Sequence, residues 1–420
     1  MREFREVGPA QIDEYMYIYL NAYPAFKSLD EDCWARYRAK VLRDMDLDER
    51  TKFYGGFEDG RMASIMKLID FDINLYGKMQ KATGVMSLAV HPAEKKKGWA
   101  LDSVRYSERY ARERGSLVNM FLPFSMGFYR GMGYGLGSRM DEYHLPTLNL
   151  PKCKDLSHIR MMTLSELDRI LACHTRFAEK THGMLTKFEE EVRILRGDTA
   201  VLFAGWEEEG ELRGYVMYRY EDAHADNYTI TRISVEDLVY DSGEVLRALL
   251  GFLRNQADLA QTILIRTGEP EFYQLLDDPR DVCDHYINYG YLQTNVSAVG
   301  NMYKVLDPEV FVNALRYRRF PKADLAVCFE YEDEMEHRQD KLVLRFVPEG
   351  DGSRWEASKD GDAEVKICCR KADLSSLLMN SCRLASMLRL GAMQISDPAY
   401  GKILDDLLYY SQQPFSNCDF

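Results

Sequence analysis

Apolar residues recur at helical spacing from Ala10 to Met45. Tyr15, Ile18, Tyr19 and Ala22 share one face of a first helix, and Trp34, Tyr37 and Val41 share one face of a second. The period then changes. Lys52 to Glu58 reads as a strand, Asp59-Gly60 is a hairpin-turn pair, and the runs Met62 to Ile73 and Thr83 to Val90 continue the strand pattern. After Val90 comes a loop, His91 to Gly98, and then about fifteen residues with Leu101, Val104 and Ala111 turned inward, a helix ended by Gly115. Leu117 to Pro123 reads as a buried strand, and Met126 to Arg130 as a short helix before the glycines of Gly131 to Gly135. A strand, a helix and a strand in this order predict a parallel crossover.

The order repeats. Past a proline-bounded linker at Leu148 to Lys154, a helical stretch precedes the strands Leu202 to Trp206, Gly214 to Tyr220 and Thr229 to Val235. Ser242 then stands as an N-cap before a helix with Val245, Leu249, Phe252 and Leu253 inward, and Thr262 to Ile265 is the next strand. The pattern predicts a duplicated α/β unit. A last region, from Met302, carries strands such as Lys341 to Phe346 and Ala363 to Cys368, followed by helices at Leu374 to Leu378, Ser381 to Leu390 and Tyr400 to Tyr410. The ending, Pro414 to Phe420, is too apolar for a frayed tail and is expected to dock.

At 420 residues the chain exceeds one ordinary core, so two or three domains are expected. With 46% hydrophobic and 29% charged residues it reads as ordered throughout. No run reaches the roughly eighteen uncharged apolar residues of a spanning helix, and the first residues lack an apolar signal core, so a cytoplasmic protein without membrane insertion is expected. Nine cysteines form no disulfide or zinc spacing, and the eight histidines form no metal pattern, so no metal site is expected. A net charge of −13 argues against a nucleic-acid partner and suits a cationic ligand.

The segment richest in chemistry is the strand Met86 to Val90 with the loop that follows, Lys95-Lys96-Lys97-Gly98-Trp99-Ala100, opening a helix. Unpaired N–H groups at a helix start, together with a glycine that lets the backbone approach closely, make a candidate pyrophosphate site. The plainer alternative is a solvated basic loop. Downstream stands Gly127-Phe128-Tyr129-Arg130-Gly131-Met132-Gly133-Tyr134. The combination resembles the GNAT acetyltransferase superfamily, whose loop usually reads Arg or Gln, two residues, Gly, one residue, Gly or Ala. Lys95, Gly98 and Ala100 stand in those places, with lysine first as a departure. Tyr129 stands where such enzymes keep a tyrosine near the thioester sulfur, and a phenol there can act as general acid. The alternative is one of 27 tyrosines packing a helix.

Taken whole, the chain resembles the Eis (enhanced intracellular survival) family. The resemblance rests on His91-Pro92 to Leu101, Phe128 to Gly135 and the ending Cys418-Asp419-Phe420. It implies an α/β (α+β) protein of two tandem GNAT-like folds plus a sterol carrier protein-like α/β domain. The expected boundaries are 1–150 for the catalytic unit, 151–297 for a degenerate one and 298–420 for the last. It also implies acetyl-CoA as co-substrate, with Leu88, Ala89 and Val90 pairing with the pantetheine arm. Lys96, Lys97, Gly98, Trp99, Ala100 and Leu101 would hold the phosphates, and Phe124 and Ser125 would lie beside the cofactor. The Phe420 carboxylate joins Tyr129 in catalysis, Asp419 holds an acceptor ammonium group, and Trp34 is either near the acceptor pocket or core. The implied reaction is acetyl transfer to several amines of aminoglycoside-like polycations, in a homohexamer. A protein-lysine acceptor and a non-enzymatic binder of apolar ligands are the alternatives.

Overall fold

The computed structural model of the chain describes residues 2–23, 30–283, 286–287 and 290–418. Its first elements follow the alternation of periods. They are β1 (Arg2–Glu6), α1 (Ile12–Ala22), α2 (Glu31–Met45), β2 (Thr51–Glu58), β3 (Arg61–Leu75), β4 (Lys78–Val90), α3 (Trp99–Glu113), β5 (Val118–Phe121), α4 (Met126–Arg130) and β6 (Gly135–Leu136). β3 and β4 run longer than the apolar pattern suggests, because a second hairpin at Tyr76-Gly77, both at positive φ, joins them without a polar break.

The second set is β7 (Arg139–Pro146), β8 (Ile159–Met162), α5 (Leu167–Ala178), α6 (Glu189–Gly197), β9 (Leu202–Glu208), β10 (Glu211–Asp222), β11 (Thr231–Tyr240), α7 (Gly243–Arg254) and β12 (Thr262–Thr267). A ribbon of β13 (Tyr286–Ile287) with β14 (Tyr291–Leu292), then β15 (Val296–Val299), completes it. The last set is β16 (Met302–Val305), α8 (Pro308–Ala314), β17 (Leu325–Asp333), β18 (Arg338–Glu349), β19 (Gly352–Ser358), β20 (Val365–Arg370), α9 (Lys371–Leu378), α10 (Leu384–Arg389), β21 (Gln394–Ile395) and α11 (Gly401–Leu408). Among the described residues no helix is long and apolar enough to cross a membrane.

Two seven-stranded sheets share one plan, β1-β2-β3-β4-β5-β16-β6 and β8-β9-β10-β11-β12-β7-β15, and a five-stranded sheet runs β19-β18-β17-β20-β21. In each large sheet the place beside the parallel crossover strand is taken by a strand far from it in sequence: β16 lies between β5 and β6, and β7 between β12 and β15. The compact units are therefore residues up to 137 with 300–413, and residues 138–299 with 414–418. Cuts at 150 and 297 fall elsewhere, because local periodicity identifies a strand without identifying its partner.

β16 is tied into the first sheet by a buried ion pair. Lys304 Nζ donates to Glu108 Oε1 of α3 at 2.7 Å and to the Met132 carbonyl at 2.8 Å, with both charged side chains nearly sealed from water. Arg112 lies 3.4 Å from the other oxygen of Glu108 and compensates part of its charge. Breaking such a pair from one side leaves a stranded buried charge. Lys304→Met is expected to lower stability by about 3 kcal/mol, and Glu108→Leu/Lys304→Met to recover most of it, as read from urea-unfolding midpoints.

Candidate functional site

The first sheet opens where β4 meets β5. Their parallel ladder holds only from Ala82–Val118 to Val85–Phe121. On its other edge β4 pairs with β3 as Lys67–Met86 and then Ile65–Ala89, so Ser87 and Leu88 oppose the single residue Met66. This is a β-bulge, and Ser87 takes a positive φ of 51° to make it. The bulge re-aims the end of β4 away from β5. Met86 to Val90 then keep β3 on one side and have no ladder partner on the other. Ala89 is buried and Leu88 and Val90 half-buried. The Leu88 carbonyl accepts from the Tyr23 hydroxyl at 3.2 Å, which leaves its second lone pair for another donor.

Beyond β4, His91 Nδ1 accepts from the Ala93 N–H and starts a short turn over Pro92–Glu94. Lys96 at φ 63° and Gly98 at φ 89° then bring the chain into α3, with Gly98 as its left-handed N-cap. The N–H groups of Trp99, Ala100 and Leu101 lie in the first turn, where a helix offers no carbonyl to them, at the positive end of a fifteen-residue dipole. Lys95, Lys96 and Lys97 are exposed. Lys97 bonds Glu94 at 2.9 Å and holds that carboxyl below its usual range. Arg2 braces the loop by donating to the Lys97 carbonyl at 2.8 Å, pairing with Asp102 at 2.6 Å and lying over the Trp99 ring at 4.3 Å. The Trp99 indole is buried against Phe4, so Trp99 offers an anion only its backbone.

After β5, the chain passes Phe124 and Ser125 into α4, which carries Tyr129 back to the opening. Tyr129 is 2% exposed, packed against Phe121, Phe124, Phe128 and Tyr134 with ring centroids 4.4 to 6.1 Å away. Its hydroxyl has no hydrogen-bond partner among the described residues. Burial raises its pKa well above the ordinary phenol range, so it keeps its proton at neutral pH. Tyr23, which directly follows α1, is raised by burial and by the neighbouring phenols of Tyr19 and Tyr129, so its hydroxyl shares one environment with that of Tyr129. Tyr134 differs: its hydroxyl donates to Asn119 at 2.6 Å inside the core.

The structure therefore brings together Leu88, Ala89, Val90, Tyr129 and the α3 start. Phe124, 79% exposed, heads an apolar rim with Leu122, Met126 and Phe128, and Ser125 is the N-cap of α4. Trp34 packs half-buried on the core of α1, β2 and β3 beside Tyr19 and Tyr37. Asp419 and Phe420 lie outside the described residues. Among the described residues no group of three His, Cys, Asp or Glu side chains is placed to hold a metal. Tyr23 and Arg2 escape the sequence reading. Tyr23 directly follows the apolar stripe of α1, which was a usable signal, whereas Arg2 meets a loop 95 residues away and gave none.

Residues 3–137 match a family model described as an acetyltransferase (GNAT) domain, and residues 183–295 match a second model of that description. Two GNAT domains follow one another in this chain. The protein is an N-acetyltransferase, and GNAT domains use acetyl-CoA. Similar folds are those of a GCN5-related N-acetyltransferase from Kribbella flavida (18% identity, TM-score 0.75, covering 100% of this chain and 98% of that one) and Eis1 from Mycobacterium abscessus (18%, 0.75, 100% of both). A GCN5-related N-acetyltransferase from Anabaena variabilis is also similar (14%, 0.76, 100% of both). No sequence among curated proteins matches the chain.

The second GNAT domain lacks the cradle of the first. Only Asp241 and Ser242 link β11 to α7, where residues 91–98 link β4 to α3. Ser242 itself accepts from the Val245 N–H, so one N–H of this helix start is already taken, and Glu244 adds a negative charge to its first turn.

Backbone conformation at the first cradle is directly testable. Gly98→Ala forces a Cβ into the left-handed region and is expected to cost about 1 kcal/mol. Gly127→Ala, in the α4 helix with open space around it, is expected to be neutral or stabilising by up to about 1 kcal/mol in the same urea titration.

Proposed function

We propose that the first GNAT domain binds acetyl-CoA in the opening between β4 and β5 and, in the cytosol, transfers its acetyl group directly to amines of an aminoglycoside-like polycation, at more than one position. One observation carries the reading: a buried, protonated Tyr129 with an uncommitted hydroxyl stands beside a strand edge that has lost its partner, one loop away from a helix start rich in free N–H groups.

The donor set fits this co-substrate. The N–H groups of Trp99, Ala100 and Leu101, with Gly98 permitting close approach and Lys96 and Lys97 adding charge, suit a diphosphate. The free edge at Leu88, Ala89 and Val90 suits amides running along a strand, as in β-augmentation. Phe124 and Ser125 flank the same opening. Acetyl-CoA supplies the acyl group as a thioester. Tyr129 donates a hydrogen bond to the departing sulfur as the C–S bond breaks and the new C–N bond forms. Its pKa lies above that of a thiol, so the proton that ends on sulfur is made good by the one lost from the attacking amine. The Phe420 carboxylate and Asp419 hold the acceptor ammonium groups by charge-assisted hydrogen bonds, and the carboxylate relays the amine proton through water. An acidic protein of charge −13 attracts such an acceptor. The sterol-carrier likeness of the third region and assembly into a hexamer belong to this proposal through the Eis resemblance.

Thiol release from acetyl-CoA, with a kanamycin-like polyamine and a lysine peptide as acceptors, tests it. Tyr129→Phe is expected to lower kcat by about 10²–10⁴-fold with KM for acetyl-CoA nearly unchanged, and deletion of Phe420 to lower turnover of the polyamine. In the native enzyme no loss of rate from Tyr129 ionisation is expected below pH about 10. Native rates in both variants overturn the mechanism, and faster transfer to the peptide than to the polyamine overturns the acceptor class.

A further inference from the structure

The second GNAT domain repeats the opening of the first. β11 pairs with β10 as Met217–Asp237 and then Tyr218–Val235, leaving Glu236 as an extra residue, a bulge at the place corresponding to Ser87. The ladder of β11 with β12 holds only from Arg232–Thr262 to Ser234–Leu264, and the strands separate beyond it. In the first domain this opening is the proposed acetyl-CoA site. Here the cradle is absent, and the opening is filled by the protein itself.

The filling segment is Pro414 to Cys418. Its backbone is held by the Phe415 N–H, which donates to the His182 carbonyl at 2.9 Å in the connection between α5 and α6. The Phe415 ring lies against Gly268, directly after β12, so closely that a Cβ there would come within 2.2 Å of Cδ2 and 2.6 Å of Cγ. Asn417 is bound at both ends of its amide. Its NH₂ donates to Asp237 Oδ1, three residues past the end of the β11 ladder, and its oxygen lies 3.3 Å from His174 Nε2 of α5. Cys418, 3% exposed, closes the segment with its thiol toward the Leu185 carbonyl.

Complementarity goes beyond packing. Because the Asn417 NH₂ is committed to a carboxylate, its oxygen must accept, which fixes His174 as the Nε2–H tautomer. Burial, then the charge of Lys187, lowers the His174 pKa to about 4, so the ring is neutral at physiological pH as this role requires. His174 Nδ1 is buried without a partner, so the ring's one polar commitment is to the tail. The remaining charges are balanced among themselves. Asp237 Oδ2 accepts from Tyr215 at 2.7 Å, and Lys187 bridges Glu191 at 2.6 Å and Asp237 at 3.5 Å. A polar slot sealed in this way, with one donor and one acceptor turned toward a single amide, is a binding site.

We infer that the second domain keeps the acetyltransferase opening as a clamp whose ligand is the chain's own segment Pro414–Cys418, and that this clamp positions the last residues for acetyl transfer. Asp237, His174 and Gly268 are positioning residues. The clamp stands independently of the proposed reaction, whereas its effect on turnover rests on that reading.

Per-cysteine alkylation of the full chain by iodoacetamide, read by peptide mass spectrometry, tests the clamp without any need for activity. Cys283 and Cys368 are exposed references, and buried Cys173 on α5 reports whether the second domain stays folded. In the native protein Cys418 is expected to react far more slowly than Cys368. Asn417→Ala, which removes the amide from the tail, and Gly268→Ala, which pushes a methyl into the Phe415 ring, are each expected to speed Cys418 labelling by about tenfold or more with Cys173 still protected. In the acetyl-transfer assay both are expected to lower kcat by about the same factor and to leave KM for acetyl-CoA within twofold. Native labelling of Cys418 as fast as that of Cys368 overturns the clamp. Released tails with native kcat overturn its positioning role. A native chain inactive on every amine, with Cys418 protected and released as expected, sinks the proposed reaction and leaves the clamp standing.

Discussion

The backbone ladder between β4 and β5 stops after four residue pairs, and the acetyl-CoA site proposed for the first domain depends on that stop. A parallel ladder carried to the ends of both strands would satisfy every N–H and C=O and leave nothing for a ligand. One inserted residue prevents this. Ser87 holds a left-handed conformation that costs about 1–2 kcal/mol, and the cost is met by the long β3–β4 hairpin, eleven pairs of which surround the bulge. The freed edge, the α3 start and Tyr129 all converge on the gap that results.

The same device is used twice to different ends. In both domains a bulge follows the last residues paired with the crossover strand, yet one is followed by an eight-residue basic loop and the other by two residues and an N-cap. A long loop delivers uncommitted N–H groups and positive charge. A short, capped one delivers neither, and the opening is left to a peptide segment that brings its own amide and aromatic ring. Duplication of a fold therefore supplies the site we propose for a diphosphate and the one we propose for a strand of the protein itself.

Much of this is legible in the chain. Periods of 3.6 and 2 locate α1 to α4 and β2 to β5, and Lys95 to Ala100 with Phe128 to Tyr134 mark the site because glycine and tyrosine spacing is local. Three features are not legible, the first two because they depend on partners distant in sequence. β16 reads as the start of a new region although its Lys304 is buried against Glu108. β7 reads as the end of the first domain although it pairs with β12. Ser87 reads as an ordinary strand residue, because no side-chain pattern announces a bulge. The docked ending was legible from its apolar character, but its slot, built from His174, Asp237 and Gly268, was not.

The central claim is that coenzyme binding belongs to the opening of the first domain. Amide hydrogen exchange with and without acetyl-CoA tests it most directly, since each strand edge reports for itself. The account predicts slowed exchange at residues 86–90 and 97–101 and unchanged exchange at residues 235–240. Protection at 235–240, or none at 86–90 under saturating acetyl-CoA, would contradict it.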